Sequence, residues 1–296
     1  MSKNLNGIFP PITTPFDADG RLLTDRLVEN LDRWSETGLA GYTVLGSNGE
    51  SPYLSDAEKI EVVRAVRSRI RPGQTMIVGA GRESTRLCIE FIERIANEGA
   101  DYALVGTPCY FRARMSDEVL LRHFETVADH SPIPLLVYNV PQFTGISTSS
   151  TLILKLSAHE NIAGMKDSSA NLQFQSEVHR GVPQRFRMLV GSGPTLLASL
   201  IHGACGGIVA AACVLPEWTV ELYESFQAGD WKKSALIQAR LSPPGAAVTT
   251  TYGVPGLKAA LSMMGYFGGY PRMPLQPLDE KQSADLAAVF KAAGAL

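Results

Sequence analysis

Short apolar runs alternate with amphipathic segments along most of the chain. Gly41 to Leu45 is an apolar run closed by a glycine-bounded turn, the pattern of a buried strand. Ser55 to Ile70 follows as a helix, opened by Ser55-Asp56-Ala57-Glu58, in which serine and glutamate can cap each other's backbone N–H groups. The alternation continues with a strand at Met76 to Gly79, a helix from Ser84 to about Asn97, and a strand at Tyr102 to Val105. A helix from about Asp117 to Asp129 and a strand at Leu135 to Asn139 extend it. Ile162 to Lys166, Met188 to Gly191 and Gly207 to Ala211 read as later strands, each before a helix. With a first strand at Gly7 to Ile12 and a helix from about Thr24 to Glu36, eight β/α units fit by about residue 228.

Strands that are apolar throughout and separated by helices predict a parallel sheet covered on its outer face. Eight such units predict a closed α/β architecture, the (β/α)8 TIM barrel, over residues 1–228. Residues 229–296 read as a C-terminal helical extension packed on the barrel, with helices at about Asp230 to Leu241, Pro255 to Met264 and Asp279 to Ala293. One structural unit is expected, because no low-complexity tract or long linker divides the chain.

Composition narrows the functions this barrel could serve. The 296 residues are 45% hydrophobic and 19% charged, enough for a full interior, and the formal net charge of −2 comes without a basic cluster. Nucleic acid is therefore not an expected partner. The amino terminus lacks a secretory apolar core, no apolar run approaches a membrane span, and four scattered cysteines suit a reducing cytoplasm. The five histidines show no ligand spacing, so neither a metal nor a bound cofactor is expected.

In a barrel of this kind, functional groups gather where strands leave their carboxyl ends. Lys166 stands at such an exit, between Ile162-Ala163-Gly164-Met165 and Asp167-Ser168-Ser169. Desolvation there favours the neutral amine that imine formation requires, although a lysine at this place can also extend along the surface to water. Gly46-Ser47-Asn48-Gly49-Glu50 brackets two small polar residues with glycines, which lets backbone amides approach an anion, or makes a plain helix-capping turn. Tyr138 ends the neighbouring strand and suits either core packing or proton transfer beside Lys166; Tyr110 invites the same two readings. Gly191, at the exit of the seventh strand, converges on the same mouth. No phosphate-binding glycine fingerprint is present, since Gly79-Ala80-Gly81 runs on to Ser84 where a third glycine would be needed.

Three motifs in order carry a resemblance: Gly46-Ser47-Asn48-Gly49-Glu50-Ser51, Tyr138-Asn139-Val140-Pro141 with Thr144-Gly145, and Gly164-Met165-Lys166-Asp167-Ser168. Together they resemble the dihydrodipicolinate synthase and N-acetylneuraminate lyase superfamily of pyruvate-dependent class I aldolases, from Pro10-Pro11-Ile12-Thr13-Thr14-Pro15-Phe16 to the last helices. The resemblance implies Lys166 as the Schiff-base lysine, Tyr138 as the catalytic tyrosine, and Ser47 and Asn48 as holders of the keto-acid carboxylate. It implies Tyr110 as a residue lent across a tight dimer interface, Ser168, Gly191 and Phe143 as further substrate contacts, and a homotetramer built as a dimer of dimers.

Within the superfamily, Ser47-Asn48 replaces the two threonines usual in dihydrodipicolinate synthases, and Phe143 stands where they carry an arginine for the aldehyde's carboxylate. Without that bidentate cation aspartate semialdehyde would be held poorly. The loop, Thr107-Pro108-Cys109-Tyr110, Gly253-Val254-Pro255-Gly256-Leu257-Lys258 and Gly265-Tyr266-Phe267-Gly268-Gly269 look instead like 4-hydroxy-2-oxoglutarate aldolases. The expected reaction is a lyase cleavage of that keto acid to pyruvate and glyoxylate. The alternatives are a 2-keto-3-deoxy sugar acid aldolase or dehydratase, dihydrodipicolinate synthase, an oxaloacetate decarboxylase side activity, and a non-catalytic keto-acid-binding barrel, with Gln142, Phe143 and Phe111 as the distal-pocket residues that would set the choice among the sugar acid and decarboxylase reactions.

Overall fold

The computed structural model describes residues 3–296. Eight strands form one parallel sheet: β1 (Gly7–Ile8), β2 (Gly41–Val44), β3 (Thr75–Gly79), β4 (Tyr102–Gly106), β5 (Leu135–Asn139), β6 (Ile162–Asp167), β7 (Arg187–Val190) and β8 (Gly206–Gly207). β2 through β8 pair in chain order, and β8 pairs with β1. The remaining gap is spanned by a parallel bridge between Pro11 and Thr43, where the Ile12 N–H donates to the Thr43 carbonyl at 3.0 Å and the Thr43 N–H to the Pro10 carbonyl at 2.9 Å. Closure removes the edges a flat sheet would expose, and the result is the expected (β/α)8 barrel.

Alternation along each strand sorts side chains between two cores. On β5, Leu136 and Tyr138 turn into the barrel with Phe9, Ile77, Leu104 and Leu189, while Leu135 and Val137 pack outward beneath the helices. The outer cluster is the larger and includes Trp34, Phe91, Phe124 and Met165, each almost wholly buried. Side chains of this size stabilise the fold by roughly 1.5–3 kcal/mol apiece on burial.

Helix starts follow the predicted capping chemistry. For the helix Asp56–Arg67, Ser55 Oγ accepts from the Glu58 N–H at 3.2 Å and the Ser55 N–H donates to Glu58 Oε2 at 2.8 Å. Ser84 and Ser116 cap Thr85–Asn97 and Asp117–His130 by the serine half of this exchange alone, accepting from the N–H groups of Leu87 and Val119.

Three boundaries depart from expectation. β1 covers only Gly7–Ile8 of the predicted Gly7 to Ile12 strand, with Phe9 to Ile12 continuing as the irregular segment that bridges to β2. β8 is confined to Gly206–Gly207, and the apolar run after it turns into the short helix Ala211–Val214. A run of small and β-branched residues fits a buried strand and a buried helix equally well by pattern.

The helix expected to end at Leu241 instead runs over Trp231–Ala246, through Pro243 and Pro244, into a wide helical turn at Ala247–Thr251. Prolines remove two N–H donors and crowd the preceding turn. The hydroxyls of Thr249 and Thr250 donate to the carbonyls of Gly245 and Ala246, at 2.6 and 3.2 Å, so backbone acceptors in this stretch are partnered by side chains. Two further helices, Gly253–Met263 and Glu280–Ala292, complete the C-terminal part. Leu257, Leu261, Leu286 and Phe290 from these helices join the outer cluster of the barrel. No helix among the described residues is long and apolar enough to cross a membrane.

Candidate active site

The pairing of β5 with β6 sets Tyr138 beside Lys166 in register. Met165, one residue earlier, belongs to the outer core, so strand alternation turns Lys166 inward on the same side as Tyr138. Lys166 is 4% exposed, and its Nζ lies 4.3 Å from the centre of the Tyr138 ring. Room for the lysine depends on Gly191. A Cβ at that position would stand 1.9 Å from Ser168 Oγ and 3.0 Å from Lys166 Cε.

Burial alone would raise the Tyr138 phenol above its ordinary pKa of 10.0. The positive charge of Lys166 and hydrogen bonds with Ser47, Ser168 and Lys166 outweigh it, and the phenol is held below that value. A more acidic phenol is a better proton donor at neutral pH. Ser47, Ser168 and Lys166 thus gather around the Tyr138 phenol across the exits of β2, β5 and β6.

The loop after β2 folds into a single tight helical turn, Ser47–Gly49, flanked by Leu45 at φ 57° and Glu50 at φ 53°. Non-glycine residues in the left-handed region cost of order 1–3 kcal/mol each and persist only where surroundings enforce them. Gly49 and Glu50 donate their N–H groups to the carbonyls of Gly46 and Ser47, both at 3.0 Å. The amides of Ser47 and Asn48 precede these first internal bonds and are the ones a helical turn offers to an outside acceptor. Asn48 is half-buried.

Beneath this group lies a polar network that the sequence reading missed. Asp167 is fully buried and accepts hydrogen bonds from Asn139 Nδ2 at 2.8 Å, Gln175 Nε2 at 2.9 Å, and the Ser169 Oγ and N–H at 2.9 and 3.1 Å. Asn139 Oδ1 in turn accepts from the Thr148 N–H at 3.1 Å. The residues just after Tyr138 and Lys166 are therefore tied together, which fixes the relative height of the two strand ends. Asn139 and Asp167 were visible as motif neighbours; Gln175 gave no signal.

A cleft of about 380 Å³ opens above, lined by Gly46, Ser47, Thr107, Tyr138 and Phe143 among others. Phe143 sits on its rim, 65% exposed. Gln142 and Phe111 are also exposed. Tyr110 is 79% exposed, with its ring edge-on to Phe111 at 5.0 Å. In the single chain, then, Lys166, Tyr138, Ser47 and Ser168 meet, with Gly191 against them, while Tyr110 stays at the surface. Glu83 pins the segment that carries Tyr110 by accepting the N–H groups of Cys109 and Tyr110, at 3.0 and 2.9 Å. A smaller cavity of about 290 Å³, near Arg187 and Cys205, belongs to the amino ends of β7 and β8 and is a separate feature.

Comparison with known proteins places nearly the whole chain in one family. Residues 4–293 match the Dihydrodipicolinate synthetase family. The chain is 34% identical over 285 residues to a 4-hydroxy-tetrahydrodipicolinate synthase of Archaeoglobus fulgidus, covering 96% of this chain and 97% of that one. A DapA-like lyase of Halobacterium salinarum is 33% identical over 284 residues, covering 96% and 92%. Among solved structures, dihydrodipicolinate synthase DapA-2 of Bacillus anthracis superposes with a TM-score of 0.93 at 27% identity, over 98% of this chain and 99% of the other.

Proposed function

We propose, from the premise that this chain belongs to the dihydrodipicolinate synthetase family, that it cleaves 4-hydroxy-2-oxoglutarate to pyruvate and glyoxylate through an imine on Lys166. Members of the family are lyases that form a lysine Schiff base with a small keto acid and need no cofactor. The observation that carries the assignment of the lysine is the 4.3 Å approach of Lys166 Nζ to the Tyr138 ring on adjacent inward-facing strand ends.

In this reading the substrate's 1-carboxylate rests on the amides and side chains of Ser47 and Asn48. Lys166 Nζ adds to the C2 carbonyl, and Tyr138 supplies the proton that lets the carbinolamine lose water. The iminium then withdraws the electron pair of the C3–C4 bond while the 4-hydroxyl gives up its proton, through Tyr138 or Ser168. Glyoxylate leaves, and the enamine takes a proton at C3 and is hydrolysed to pyruvate and free lysine. Tyr110 would complete this site from a second copy of the chain, in a homotetramer arranged as a dimer of dimers.

Phe143 supports the choice of substrate, because an exposed aromatic on the cleft rim offers no bidentate partner to the carboxylate of aspartate semialdehyde. The names of the 34%-identical relatives favour a second reading, condensation of pyruvate with that aldehyde. Borohydride reduction with pyruvate followed by peptide mapping tests the lysine, and an adduct elsewhere than Lys166 would sink the mechanism. A panel scored by pyruvate release or consumption tests the substrate. Turnover of aspartate semialdehyde with pyruvate, and none of 4-hydroxy-2-oxoglutarate, would replace the first reading by the second.

A further inference from the structure

The candidate carboxylate loop ends in Glu50, whose side chain does not face the cleft. It is buried to 1% exposure against Lys258, also 1% exposed, with Nζ and Oε1 2.5 Å apart. Lys258 belongs to the helix Gly253–Met263 in the C-terminal part, and its Nζ also donates to the carbonyls of Thr14 and Tyr270, at 2.9 and 2.7 Å. The second oxygen, Glu50 Oε2, accepts the Arg272 N–H at 2.7 Å. Both oxygens of the residue that closes the loop are thus held by residues of the last forty or so positions of the chain.

The surroundings are built for this pair. Lys258 Nζ and the Arg272 guanidinium lie over the ring of Phe16, at 4.5 and 4.1 Å. Arg272 also bonds both oxygens of Glu58, at 2.6 and 3.1 Å, and the carbonyls of Gly20 and Tyr53. Gly268 lies so close that a Cβ there would stand 1.9 Å from the Lys258 carbonyl oxygen. Two stretches singled out in the sequence without a role, Gly253 to Lys258 and Gly265 to Gly269, therefore both serve to bring this amine to Glu50. At the loop, Glu50 adopts its left-handed backbone while Thr14 Oγ1 holds the preceding Gly49 carbonyl at 2.7 Å.

We propose that Lys258 and Glu50 are positioning residues for substrate binding: the C-terminal part sets the conformation of the Ser47-Asn48 turn through this buried pair. The inference rests on the proposed reading that the turn holds a keto-acid carboxylate. A buried pair of this kind need not add net stability, whereas an outward-facing pair of amides must be held in place to receive an anion.

The test compares Lys258→Met with the double variant Glu50→Gln, Lys258→Met, which leaves no unpaired buried charge and so guards against simple misfolding. Two quantities are read: backbone hydrogen exchange of the 45–54 peptide against the 56–67 helix, and KM against kcat for 4-hydroxy-2-oxoglutarate. In the double variant exchange in 45–54 should rise about tenfold with the helix unchanged, and in Lys258→Met it should rise by more than that of the helix. KM should rise roughly tenfold while kcat stays within about threefold. Unchanged loop exchange in the double variant, or a loosened loop with KM unmoved, overturns the proposal. If the unaltered protein fails to trap pyruvate with borohydride, the functional reading has failed, and the exchange data still decide whether the pair holds the turn.

Discussion

Lys166 and Lys258 are buried to nearly the same degree, 4% and 1% exposed, and their surroundings differ in kind. Lys258, in the C-terminal part, has a carboxylate and two carbonyl oxygens around its amine. Lys166, inside the barrel mouth, makes no ion pair among the described residues and faces an aromatic ring and hydroxyls. Burial therefore does not by itself mark a nucleophile. Three oxygen acceptors occupy the donor positions of Lys258 and leave it no lone pair to offer, whereas the environment of Lys166 leaves its nitrogen open to a carbonyl carbon.

The comparison breaks most directly at the barrel lysine. Lys166→Met should lower the aldolase rate by about 10⁴-fold or more, since the covalent step has no substitute. Its thermal midpoint should stay level or rise, because an apolar side chain replaces a buried amine that has no carboxylate partner among the described residues. A residual rate within about tenfold of the original protein would show that another group carries the imine.

Lys258→Met should behave in the opposite way. Leaving Glu50 buried without its partner should destabilise the fold by about 3–5 kcal/mol in denaturant titration. The imine on Lys166 should still be trapped by borohydride. A variant of unchanged stability would mean that the two lysines are more alike than their contacts indicate.

Tyr138→Phe tests what the mouth adds to its lysine. Losing the phenol should reduce kcat by about 10²-fold, near 2.7 kcal/mol, with trapping slowed and not abolished. Stopped-flow measurement of imine formation separates this from a binding defect.

The smallest expected effect is a pH dependence of stability. Burial lowers Lys258 from 10.5 to about 8, against the opposing pull of Glu50. Below pH 8 the amine is charged in both folded and unfolded chains; between about 8 and 10.5 the unfolded chain binds more protons. Stability relative to Lys258→Met should therefore rise across that window and level off above it. A flat difference between pH 7 and 11 would show that Lys258 keeps its ordinary affinity for protons.

The sequence displayed the barrel and its lysine because both are local signals. An apolar run that ends in Met165-Lys166-Asp167 announces a strand exit, and Ser55 with Glu58 announces a helix start. The short β8 was hidden because Gly206 to Val214 carries no periodicity that separates strand from helix. The helix through Pro243 and Pro244 was hidden because two consecutive prolines ordinarily end a helix, whereas here the chain runs through them into the wide turn that follows. The Lys258 pair and the Gln175 contact to Asp167 were hidden for a different reason. Each depends on which loop faces which helix after the barrel has closed, and no spacing along the chain encodes that meeting.

The turn that carries Ser47 and Asn48 is bounded by left-handed Leu45 and Glu50 and fastened from outside by Thr14, Lys258 and Arg272. Its shape is thus specified by residues other than the two proposed to meet the ligand. Across a lineage, such a socket lets the inserted pair change identity while the frame is inherited intact, so new substrate preferences can be tried without refounding the fold.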